Sequence, residues 1–143
     1  METDTLLEWE RKKRYLKRYR KNNALVNRLM RKLEILDIKM QSLKSPSLSG
    51  MPRGGDPVTL AALVADKVDL EKRIEKLKRK GEPMRAELLD MIDELEEVRY
   101  AEVLESFFVD CKDFPEIADE MGYTIRHVKR LYSEGLYLLL SCK

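Results

Sequence analysis

Histidine occurs once, tryptophan once and cysteine twice among 143 residues. The lone His127 has no cysteine or second histidine at ligand spacing, which argues against a zinc site and against a His-based triad. Cys111 and Cys142 are too few for a disulfide framework. They read as a core residue and a free tail thiol in a reducing cytoplasm. Nor is there a Walker-type glycine loop or a cluster of metal ligands. Paired acids such as Asp93-Glu94 and Glu96-Glu97 sit on exposed faces of helical text. The expectation is a non-enzyme that needs no cofactor. No apolar run reaches the roughly 18 residues of a membrane span. The start, METDTLLEWERKKRY, sets acids before bases without an apolar centre, unlike a secretory signal. Six glycines and five prolines are too few for a β-sandwich, which turns every ~8–12 residues.

What is present is charge and apolar periodicity. Charged residues make up 38%, against roughly 25% in an ordinary domain, and apolar residues reach 43%. With so few breakers, that balance predicts long exposed helices and an all-α fold. Three glycines and three prolines gather between Pro46 and Pro57, the one clear loop (44–57). Before it, Thr5 to Leu43 reads as one helix, capped by Asp4 or Thr5 and roughly 58 Å long. Its apolar stripe takes Trp9, Leu16, Asn23 and Met30 at one heptad position, and Tyr19, Val26, Leu33 and Met40 at another. Tyr15, Leu29, Leu36 and Leu43 form a flank, making the stripe broader than a coiled-coil seam. After the loop, Asp56 is a suitable N-cap and Pro57 a suitable first residue. Leu60, Leu63, Leu70, Ile74, Leu77, Met84, Leu88, Met91, Leu95 and Val98 follow steps of three and four. Lys67 and Gly81 spoil that pattern. Gly81-Glu82-Pro83 predicts a kink in a continuous helix, or else a break giving a three-helix bundle. Two such helices most simply form an antiparallel coiled-coil hairpin over residues 1–98. The leftover apolar surface favours self-association into a homo-oligomer.

From Arg99 the text changes, and residues 99–143 read as a small second domain. Leu104, Phe107 and Phe108 form a bulky cluster. Asp113 and Glu116 are spaced as a capping box around Pro115. Ile117, Ala118 and Met121 face inward, and Gly122 suits a left-handed helix end. Thr124 caps a second helix with Val128, Leu131 and Leu136 inside. A short helix, a tight glycine turn and a second helix make a helix-turn-helix. In a DNA-binding unit, the start of the second helix enters the major groove. There Arg and Lys reach guanine edges or phosphates. The candidate DNA contacts are therefore Thr124, Ile125, Arg126, His127, Lys129 and Arg130. A purely structural helical turn is the plainer alternative.

This stretch, EIADEMGYTIRHVKRLYSEGL, resembles the helix-turn-helix of sigma-factor region 4, which reads the −35 promoter element. The likeness covers Phe114 to about Leu136. Gly135 departs from it, where alanine usually stands; Gly costs roughly 1 kcal/mol against Ala in a helix, so a frayed or bent last helix is expected. With Ser49-Gly50-Met51-Pro52-Arg53-Gly54-Gly55 in the loop, nearly the whole chain resembles small phage transcriptional regulators of the RinA and ArpU type. The resemblance implies a DNA-binding activator of late phage genes in the cytoplasm of a bacterial host. Nothing in the chain resembles sigma region 2, so it is not expected to act as a complete sigma factor. A packaging adaptor such as a terminase small subunit is the alternative, since such adaptors also join a helix-turn-helix to helical oligomerisation. A pure coiled-coil interaction protein is a third reading.

Residues 11–32 carry eleven Lys or Arg and no acid. A solvated helix face is the bland reading. An unrelieved basic run beside Trp9, Tyr15 and Tyr19 points rather to an electrostatic partner. Arg11, Lys12, Lys13, Arg14, Lys17, Arg18, Arg20 and Lys21 are the candidate contacts. Their partner is either the phosphates of double-stranded DNA or an acidic surface of bacterial RNA polymerase. The acidic second helix of the same chain is a third possibility. The net charge of +2 hides segregation. Residues 1–45 hold 13 basic and 6 acidic side chains (+7), residues 46–98 hold 9 and 12 (−3), and residues 99–143 hold 6 and 8 (−2).

Overall fold

The computed structural model describes residues 2–44 and 57–141. The 44–57 loop interior, with the Ser49–Gly55 motif and the Asp56 cap, lies outside the described residues, as does Cys142. The fold is all-α, with no strand among the described residues. Five α-helices follow in order: α1 (Glu2–Lys44), α2 (Pro57–Asp93), α3 (Val98–Leu104), α4 (Phe114–Met121) and α5 (Ile125–Ser141). A π-helical segment, Glu105–Val109, follows α3. α1 begins at Glu2, so Asp4 and Thr5 lie inside the helix instead of capping it. α2 runs unbroken through Gly81 and Pro83, so the three-helix alternative does not occur.

Packing divides the chain differently from the expected boundary at residues 98 and 99. One unit joins residues 1–23 to residues 81–143, and the other is residues 24–80. The 24–80 unit packs a stretch of α1 against a stretch of α2. Val26, Leu29 and Ile74 are its buried core, flanked by Leu33, Leu70 and Leu77. Lys67, which spoils the heptad, places its ammonium 3.0 Å from an Asp37 carboxylate oxygen. That hydrogen bond raises the Lys67 ammonium above its ordinary range. The two stretches thus offset a polar residue in the seam with a partner across it.

In the other unit, Leu16 of α1 and Leu88 and Ile92 of α2 share one core with α3, the π segment, α4 and α5. The heptad of α2 does not extend to Val98. The helix ends at Asp93, Glu97 caps α3 by accepting the Arg99 amide, and Val98 is exposed. Ile92, outside the expected core set, is 1% exposed. The π segment buries three consecutive residues, Phe107, Phe108 and Val109. Its wider turn sets successive side chains closer in angle than α-helical spacing does. Phe107, Phe114 and Tyr132 pack ring against ring at centroid distances of 4.8–5.1 Å.

Gly135 does not fray α5, which continues to Ser141. The glycine is buried, and a Cβ there would stand 3.0 Å from Tyr100 Cβ and 3.2 Å from Leu104 Cδ1. α3 therefore approaches α5 more closely than an alanine would permit without a shift. Gly81 serves a similar approach in α2, where a Cβ would meet the Asn22 amide at 2.7 Å.

Candidate nucleic-acid interface

The α4–turn–α5 element is built from local capping chemistry. Asp113 accepts the Glu116 amide at 3.0 Å, and Glu116 accepts the Asp113 amide at 3.1 Å, closing the capping box. Two orphan donors at the helix start are thereby satisfied. Gly122 ends α4 with φ 72°, and the Tyr123 amide donates to the Ala118 carbonyl at 2.9 Å. Thr124 then caps α5, its hydroxyl accepting the His127 amide at 3.1 Å. Ala118 is 5% exposed, Ile117 and Val128 are fully buried, and Leu131 is 2% exposed. These four hold α4 against α5, as the apolar spacing predicts.

The candidate DNA contacts divide by what they already do. Ile125, Arg126, Lys129 and Arg130 are exposed at the start of α5. None of these three cations forms an ion pair among the described residues. His127 is half-buried, with its ring edge-on to Tyr123 at 4.7 Å. Its Nδ1 lies 3.3 Å from an Arg130 guanidinium nitrogen. Thr124 has committed its hydroxyl to the cap. Arg126, Lys129 and Arg130 thus present their charges on one short stretch of helix without an ion pair among the described residues, Arg130 also touching His127.

The basic run of α1 divides as sharply. Arg18 forms an ion pair with Glu87 at 2.7 Å and donates to the Tyr15 hydroxyl. Tyr15 in turn hydrogen-bonds Glu87, which raises its phenol above the ordinary range. Lys12 donates to the Leu140 carbonyl at 3.4 Å, near the end of α5. With Arg11, Leu16, Met91 and Leu139 it borders an apolar groove of about 480 Å³. Arg20 is the most engaged. Its guanidinium donates to the carbonyls of Phe107 (2.5 Å) and Lys112 (3.1 Å) and lies over the Phe107 ring at 3.9 Å. Lys13, Arg14, Lys17 and Lys21 make no ion pair among the described residues.

Arg20 also faces an irregular stretch of chain. Cys111 has φ 59°, a left-handed backbone that a non-glycine residue adopts at a cost. Burial pushes its thiol up, against the opposing pull of Arg20 and a hydrogen bond with Asn23. Asn23, the polar member of its heptad position in α1, is thus used to contact this turn. Arg20→Ala is expected to lower stability by about 2 kcal/mol, since charge-assisted hydrogen bonds to two carbonyls are lost. Arg20→Lys keeps the charge without the planar fork and should recover only a minor part. Urea unfolding followed by circular dichroism measures both.

Arg18, Arg20 and Lys12 reach partners 69 to 128 residues away. No local pattern in the sequence signals those contacts. Comparisons with protein-family models, curated proteins and solved structures find no match to this chain. No helix among the described residues is long and apolar enough to cross a membrane.

Proposed function

We propose that this protein is a sequence-specific DNA-binding regulator of transcription, reading promoter DNA with α5. The observation that carries the reading is a capped α4, a left-handed Gly122 turn and a capped α5 presenting Arg126, Lys129 and Arg130 exposed and without an ion pair among the described residues. A helix start of this kind fits the major groove, where bidentate Arg–guanine pairs give discrimination. The resemblance to sigma region 4 and to phage regulators of the RinA and ArpU type supports the same reading. It adds a promoter context, an RNA polymerase contact and self-association of the chain.

Selection of bound duplexes from a random DNA pool tests this reading. Enrichment of a discrete site, and its protection beside a promoter with recruitment of polymerase, is the expected outcome. Protection beside a DNA-packaging start would favour the packaging adaptor. Failure to enrich any sequence would reject sequence-specific reading altogether.

A further inference from the structure

We propose that one flank of α1, bearing Lys13, Lys17 and Lys21, grips the phosphate backbone of the same duplex that α5 reads. The inference rests on the DNA-binding reading and adds a second contact surface to it. Its first support is placement. Arg20 ties α1 to the carbonyl of Lys112, the residue before the Asp113 cap of α4. This part of α1 is therefore anchored beside the start of α4, within the same packed unit as α5.

The second support is helical spacing. Lys13 and Lys17 precede Arg20 by seven and three residues, which puts them on Arg20's side of the helix, two turns and one turn back. Lys21 follows Lys17 by four and continues the flank outward. Lys17 and Lys21 are exposed and Lys13 is half-buried. The fold uses Arg18 and Arg20 and leaves these three ammonium groups without an ion pair among the described residues.

The third support is charge. Residues 99–143 hold 6 basic and 8 acidic side chains. A reading head of that balance does not by itself attract a duplex bearing a charge every ~1.7 Å of axis. Some of its acids are already engaged. Lys112 holds Glu120 at 2.6 Å, Tyr100 donates to Glu134 at 3.0 Å, and Asp113 and Glu116 close the capping box. Asp110 and Asp119 stay exposed without an ion pair among the described residues. Cations from α1 offset them and supply the sequence-independent part of the affinity. The three-lysine flank is free, and a duplex backbone is the regular array of negative charge that matches it.

The test uses the full chain, a duplex carrying the selected site and a scrambled duplex, across a salt series. For K13Q/K17Q/K21Q, affinity for both duplexes is expected to fall at least about tenfold at ~0.1 M salt. The slope of log affinity against log salt should flatten by about 2 to 3. The preference for the site should be retained, and K13R/K17R/K21R should restore both quantities. An unchanged slope and affinity, with site preference intact, would overturn the phosphate grip while leaving the α5 reading standing. That result would assign the flank to an acidic protein surface or to solvent. Absence of binding to any duplex by the unaltered chain would overturn both.

Discussion

Phe108→Ala is expected to cost about 3–5 kcal/mol and to unfold much of the unit that holds α3, α4 and α5. Phe108 is fully buried in the π segment and meets Phe107 edge-on at 5.0 Å. Its ring also lies 5.9 Å from Tyr132. Truncation removes the ring from the centre of a core that includes Leu16, Ile92, Leu104, Ile117 and Val128. The π turn makes collapse onto the void difficult, because Phe107 and Val109 on either side are themselves buried. Domain stabilities are typically ~5–15 kcal/mol, so the loss is a large fraction of the total. Urea unfolding with fluorescence from Trp9, which packs against the same core, follows it directly. Tyr132 offers a comparison. Its phenol is raised by burial, with Arg20 opposing, and Tyr132→Phe keeps the ring and should cost far less. A small effect of Phe108→Ala would show that the π segment is peripheral to this core.

Much of the fold was legible because it is local. The capping box at Asp113 and Glu116, the left-handed Gly122 and the Thr124 cap each depend on residues within five positions of each other. The stripes of α1 and α2 were legible in outline, since a 3.6-residue period marks which residues face a partner. Their edges were not. Tyr15, Met30 and Leu43 fit the stripe but are about 40% exposed, because a two-helix contact is narrower than the apolar band. Gly135 shows a different limit. As a lone residue it reads as a helix defect, and only the close approach of Tyr100 and Leu104 explains its size.

The candidate interface was legible on α5 and only half legible on α1. Eleven basic residues in a row of 22 carry no mark of which ones the fold will use. Arg20 is selected by one carbonyl inside the π segment and one just after it, and Arg18 by Glu87 of α2. Both choices depend on the tertiary fold. For the same reason, the expected split at residue 98 missed that the first 23 residues pack with the C-terminal helices.

Replacing Arg126 and Arg130 together with alanine is expected to weaken binding to the selected site by about a hundredfold or more. Each bidentate base contact is worth ~1–3 kcal/mol of discrimination. Both side chains are exposed on the first two turns of α5 and form no ion pair among the described residues. Their removal should leave the unfolding free energy within ~0.5 kcal/mol of its starting value, which separates this variant from Phe108→Ala. Arg130 gives up only a 3.3 Å contact with His127. Affinity for scrambled duplex should fall far less, because the phosphate term has other sources. Competition between the selected and scrambled duplexes reads that ratio. Equal losses on both duplexes would make Arg126 and Arg130 phosphate contacts, and base reading would then have to move to Lys129 or His127. No loss on either would remove the start of α5 from the interface and, with it, the reason to regard the α4–α5 turn as a reading head.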